Sequence, residues 1–181
     1  MAVKTFTSEI LTSSDTNTYL ANSGLVYVSS TTVGSAVSSV TVSNCFTSTY
    51  DNYKIIYSGG VGSTTGELRL TMNNGTASWY GSLIYGVYNA NSVFGLGTNN
   101  AANYPYAGGY DTSFVAVDMD VLQPFSSSYS TVVMGVFHGN LSLGTFNARH
   151  AVLASQTGIV LTTSAGTMTG GTITVYGYRK A

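Results

Sequence analysis

Apolar and polar residues alternate at period two along most of this chain, which is the signature of half-buried β-strands. In "YDNYKIIYSGG", Tyr53, Ile55 and Tyr57 oppose Lys54, Ile56 and Ser58. In "GELRLTMN", Leu68, Leu70 and Met72 oppose Glu67, Arg69 and Thr71, and in "TSFVAVDMDVL", Val115, Val117, Met119 and Val121 oppose Phe114, Ala116, Asp118 and Asp120. The stretches "GLVYVSSTTV", "SAVSSVTVSN", "SWYGSLIYGVY", "YSTVVMGVFHG", "FNARHAVLA" and "GIVLTTS" read the same way, with imperfect alternation around Ser38 and Ser39. A closing strand, "TMTGGTITVYGYRK", sets Ile173 and Val175 against Thr172, Thr174, Tyr176 and Tyr178. The Gly170-Gly171 pair admits a sharp turn into it, and as an interior strand it is expected to resist fraying.

Between the strands, Asn74-Gly75 is a hairpin signal, and Pro105 and Pro124 fall in expected loops. The longest irregular stretch is expected at residues 95 to 111, "GLGTNNAANYPYAGGYD". One segment reads as helix: "TSSDTNTYLANSG", with Ser13 or Ser14 as N-cap and Gly24 as the stop. At about two turns it needs something to dock on. The expectation is therefore an all-β chain, an antiparallel jelly-roll-like β-sandwich of nine or ten strands at residues 24–181. A short N-terminal arm with a helix occupies residues 1–23, with Phe6, Ile10, Leu11, Tyr19 and Leu20 as its anchor to a partner.

Composition changes the picture by its scarcity of charge. Hydrophobic residues reach 44% and aromatic residues 12%, but only 7% are charged, against about a quarter in ordinary soluble domains. The polar share is Ser, Thr and Asn. Such a surface suits a protein covered by neighbours or working outside a cell. Net charge is −1 with no block of either sign, which argues against nucleic acid and anionic membrane as partners. No apolar run approaches the roughly 20 residues a spanning helix needs, and "MAVKTFTSEI" lacks the apolar segment of a secretory signal. Cys45 is the one cysteine, so no intrachain disulfide and no thiolate metal site is expected. It reads as a small buried hydrophobe.

Catalytic constellations are scarce. His138 and His150 lie in or beside strands, and no G-x-S-x-G elbow supports a serine nucleophile. Asp118 and Asp120, two apart on one strand, point to the same side and could grip a cation or act as an acid/base pair. The plainer reading is the wet face of an edge strand. No metal, cofactor or catalytic residue is expected. The aromatics Trp79, Tyr80, Tyr104, Tyr106 and Tyr110, read as loop residues, suit a protein interface or stacking on a sugar. Tyr176 and Tyr178 form a stripe for subunit contact, and Arg179 and Lys180 are expected to meet solvent or an acidic partner. Asn74-Gly75-Thr76 and Asn140-Leu141-Ser142 match the glycosylation sequon and are read as turns.

Three stretches carry a resemblance. "TFTSEILTSSDTNTYLANSGLVYV", with its LT-x-x-D-x-N-x-YL pattern, resembles the opening of many tailed-bacteriophage virion proteins. "VSSVTVSNCFTSTYDNYKIIYSG" is similar to the F-x-x-x-YDNY-x-I segment of small phage β-domain proteins, notably from phages of cyanobacteria and other aquatic hosts. "GGTITVYGYRK" resembles their closing strand, and together the three cover about a third of the chain. The resemblance implies a capsid cement or decoration protein, or a head- or tail-fibre protein. Such proteins are usually trimeric, bind the major capsid protein or other virion proteins, and carry no enzymatic residues. Location in the virion, after assembly in the bacterial cytoplasm, follows from it. The absence of a collagen-like repeat favours a compact decoration protein over a fibre shaft. The alternative is a fibre domain that contacts host surface glycan.

Overall fold

A computed structural model describes residues 24–73, 75 and 77–180; the expected helix and the anchor residues Phe6, Ile10, Leu11, Tyr19 and Leu20 lie outside the described residues. Among the described residues every regular element is a strand. They are β1 (Leu25–Thr32), β2 (Ser39–Val42), β3 (Asn52–Gly62), β4 (Gly66–Met72), β5 (Trp79–Val87), β6 (Ser92–Ala101), β7 (Tyr104–Tyr110), β8 (Val115–Leu122), β9 (Thr131–His138), β10 (Ser142–His150), β11 (Ile159–Thr163) and β12 (Met168–Tyr178). All pairings are antiparallel. One run has the order β1-β12-β3-β8-β9-β10-β5-β6. A second, β2-β11-β4-β7, joins it where Gly109 and Tyr110 pair with Ala116 and Val115 of β8.

The alternation read from the sequence sorts residues as expected. Tyr53, Ile55 and Tyr57 of β3, Leu68, Leu70 and Met72 of β4, and Val115, Val117, Met119 and Val121 of β8 are all buried. They join Ile159 and Leu161 of β11 and Ile173 and Val175 of β12 in one core. A strand with one face on this core and one on water needs a period of two, and these strands have it. The closing strand is interior, paired with β1 on one side and β3 on the other.

Three expectations are corrected. Residues 95–111 are not a loop: they hold most of β6 and all of β7, which brings the strand count to twelve. Gly95, Gly97 and the Asn pair weaken β-propensity, but β6 takes its conformation from the β5 ladder rather than from its own composition. The hairpin expected from Asn74-Gly75 is not formed, because the flanking strands β4 and β5 do not pair with each other. Gly75 bridges back to Met72, but β4 then pairs with β7 and β11 while β5 pairs with β6 and β10. Gly170-Gly171 is a bend within β12, not a turn before it. Both residues have positive φ, as does Gly59 across the ladder on β3. A Cβ on Gly171 would sit 2.5 Å from Gly60 N and Ser58 O, so a side chain is excluded at that position of the ladder. The Tyr57 hydroxyl donates to Gly170 O at 2.9 Å and pins the bend.

The YDNY segment and the closing strand meet in space. Phe46 and Tyr53 rings lie 4.7 Å apart, and the Tyr53 hydroxyl both accepts from Thr47 N at 2.8 Å and donates to Thr47 O at 2.9 Å. Tyr50 covers Gly177, where a Cβ would approach its ring to 2.4 Å. Lys180 reaches Asp51 at 2.7 Å and Ser48 O at 3.1 Å. Those residues lock β12 to the turn before β3, so the acidic partner of Lys180 belongs to its own chain.

Candidate interaction surface

The aromatics expected in loops lie mostly in the core. Trp79, Tyr104 and Tyr110 are on strands and fully buried, so none of the three can stack on a sugar or a partner. Trp79 packs at 6.3 Å from Tyr104 and 4.9 Å from His150, and Tyr104 at 5.2 Å from Phe146. A Tyr can be buried when its hydroxyl finds a partner. Tyr104 donates to Ser82 O at 3.0 Å, and Tyr110 donates to Ala165 O and accepts from Ala165 N at 3.0 Å. Burial pushes the Tyr104 hydroxyl well above its ordinary pKa and Tyr57 up to about 12. Tyr106 is half-buried, edge-on to Tyr104 and Phe137. Of the five, Tyr80 alone is exposed, with the Arg149 guanidinium 5.8 Å from its ring centroid.

Asp118 and Asp120 lie on the solvent side of β8, as alternation requires, but β8 is interior, paired with β3 and β9, and not an edge strand; both carboxylates are engaged from β3 and β12. Lys54 forms an ion pair with Asp118 and stands 3.8 Å from Asp120. Tyr178 donates to Asp120 at 2.5 Å, and that bond, with burial, pushes its hydroxyl up to about 12. The carboxylates are therefore spent on Lys54 and Tyr178. Among the described residues no group of three His, Cys, Asp or Glu side chains is placed to hold a metal. Tyr178 of the expected contact stripe is engaged in this cluster. Tyr176 sits against Tyr27 of β1, edge to face at 6.4 Å, and Tyr27 is exposed.

The histidines separate. His150 is buried beside Trp79, and burial lowers its pKa from 6.5. His138 lines a cleft of about 500 Å³ with Tyr88, Phe114, Ala116, Asn140 and Leu143. The Tyr88 hydroxyl donates to Asn140 O at 2.6 Å, joining two of the lining residues. Asn140-Leu141-Ser142 is the β9–β10 turn, closed by Gly139 N to Ser142 O at 2.7 Å, as expected. Cys45 is fully buried, and desolvation pushes its thiol up to about 12.

A surface that motif-based reading passes over lies on the outward side of β9, β10, β5 and β6. Register aligns Ile84, Thr145 and Val136 in one row and Ser82, Asn147 and Met134 in the next. Leu143 pairs with Gly86, which pairs with Val93. Val93 is 76% exposed, Ile84 60% and Leu143 53%, and Met134 and Val136 are also exposed. Arg149 is the one charged residue in these four strands. Its sequence signal was available: residues 70 to 110 contain no Asp, Glu, Lys or Arg at all. A sheet face with this many exposed apolar side chains and a single charge is a candidate interaction surface.

Among the described residues no helix is long and apolar enough to cross a membrane. Comparison with protein-family models, with curated proteins and with solved structures finds no match.

Proposed function

We propose that this chain is a structural virion protein of a tailed bacteriophage, a capsid cement or decoration protein that works through protein–protein interfaces and has no catalytic role. The observation that carries the interface reading is the outward face of β9, β10, β5 and β6, with Ile84, Val93, Met134, Val136 and Leu143 exposed and Arg149 its single charge. The virion assignment rests on the resemblance of the arm, the YDNY segment and the closing strand. In this reading the two strand runs stack as a jelly-roll-like sandwich, which leaves the outer face free for the major capsid protein. Burial of that face drives docking at about 25 cal/mol per Å² before association costs, and the scarcity of charge makes docking insensitive to salt. Residues 1–23 serve as a second anchor.

Electron cryomicroscopy of the particle tests the assignment. Density for this fold on the head, at hundreds of copies, is the expected result; density confined to a tail tip overturns it. An Ile84→Lys/Leu143→Lys protein is expected to keep its thermal stability and to lose capsid occupancy.

The glycan-binding alternative has one observation in its favour, the cleft in which exposed Tyr88 stands beside His138 and Asn140. It replaces the buried Trp79 and Tyr104 as the place for a sugar ring. A glycan-array signal abolished by Tyr88→Ala would promote that reading over the cement role.

A further inference from the structure

Three strands end the sheet among the described residues, and two of them are guarded. β2 is four residues long, and β1 is interrupted by a bulge between Tyr27 and Ser29. Short edges and bulges are devices that stop one sheet from adding to another. β6 has neither protection over Ser92–Thr98: it runs in unbroken register with β5 from Val87↔Ser92 to Gly81↔Thr98, and its irregularity comes only beyond Thr98. It contains no Lys, Arg, Asp, Glu or Pro. No described strand covers its far side, and Val93, Phe94 and Leu96 are all exposed.

We propose that β6 is the edge by which two copies of this chain join, antiparallel about a two-fold axis, into one continuous sheet. An unpaired ladder dictates that its occupant be another strand, and the residues of β6 select a second β6. Centring the two-fold on Gly95 places Phe94 opposite Leu96, an aromatic–aliphatic pair on one face. On the other face it places Val93 opposite Gly97, where open space surrounds the glycine. Ser92 then meets Thr98. Phe94 is already held by Tyr85, with the rings stacked at 5.6 Å, so little side-chain freedom is lost on pairing. With no charge on either strand, like meets like without repulsion. A strand edge used against itself closes as an isologous pair and stops there. This differs from the trimer implied by the phage resemblance, and it holds whether or not the virion assignment does.

Gly95 supplies the test. It has an ordinary φ, and a Cβ there meets only Leu83 O at 4.0 Å, so Gly95→Lys and Gly95→Glu are tolerated by the monomer. In the two-fold register each new side chain faces its own copy. Sedimentation equilibrium across a concentration series is expected to give a dimer for the unmodified chain. Gly95→Lys and Gly95→Glu alone should each give monomer, with melting temperatures unchanged, and a one-to-one mixture should give dimer again. A monomer or a trimer for the unmodified chain overturns the proposal. So does persistent dimerisation of Gly95→Lys, or a mixture that stays monomeric.

Discussion

The bend of β12 beside β3 offers a paired test of how space and backbone conformation share the cost of a substitution. Gly170 and Gly171 have similar positive φ, 73° and 82°, but different surroundings. A Cβ on Gly170 finds nothing nearer than Gly59 O at 4.0 Å, whereas on Gly171 it meets Gly60 N and Ser58 O at 2.5 Å. Alanine at either site bears a left-handed backbone penalty of about 1–2 kcal/mol, offset by about 0.4–1 kcal/mol of unfolded-state entropy. At Gly171 the clash is with backbone on both sides, so β3 and β12 must part locally. One or two ladder hydrogen bonds lost there cost about 1 kcal/mol each. Gly170→Ala should therefore be nearly neutral to about 1.5 kcal/mol destabilising, and Gly171→Ala about 1–2 kcal/mol worse. Urea titration followed by fluorescence of Trp79, the single and fully buried tryptophan, reads the difference. With a slope of about 2 kcal/mol per M, the midpoints should separate by about 0.5–1 M. Equal midpoints, or a worse result for Gly170→Ala, would refute the role assigned to the close approach at Gly171.

Other outcomes follow from buried groups. Tyr53→Phe strands the Thr47 N–H and C=O that its hydroxyl serves, and should cost about 1–3 kcal/mol in the same titration. Burial holds His150 neutral below its ordinary pKa of 6.5, so the unfolded chain takes up a proton that the folded chain refuses. Stability should therefore fall as pH drops below about 6.5, and His150→Gln should flatten that slope in melting curves from pH 7.5 to 5. The Cys45 thiol, buried and pushed up to about 12, should resist an aromatic disulfide reagent at pH 8 until denaturant is added. Trp79→Ala should cost about 3–5 kcal/mol, so any binding lost with it reports unfolding rather than a contact.

Local alternation was enough to place the inward residues of β3, β4, β8 and β12, because a strand with one dry face must repeat every two residues. The same argument put Asp118 and Asp120 on the wet side. Burial of Trp79, Tyr104 and Tyr110 was hidden, since an aromatic ring serves a core and a binding loop equally. For the two tyrosines, what decides between them is whether a backbone partner such as Ser82 O or Ala165 O waits for the hydroxyl, and that is set by distant chain. β6 and β7 were hidden for a related reason: their glycines and asparagines argue against strand, and the β5 and β4 ladders overrule them. Part of the apolar outer face was written in the charge-free residues 70 to 110, but only register shows that Ile84, Leu143 and Val136 share it.

The interior position of β12 has a kinetic side. Its two neighbours, β1 and β3, are complete by Gly62, yet the strand that must lie between them begins only at Met168. A ribosome adding roughly 5–20 residues per second needs several seconds to cover that interval. Throughout it β1 and β3 each lack a neighbour they will later have, and their Tyr-, Ile- and Val-rich segments lie open to any other strand in the cytosol. Pairings this distant in sequence close slowly even in the finished chain. The nascent protein should therefore be more dependent on chaperones than its folded surface suggests, and crowded synthesis should favour inclusion bodies through β1 and β3 rather than through the β6 edge.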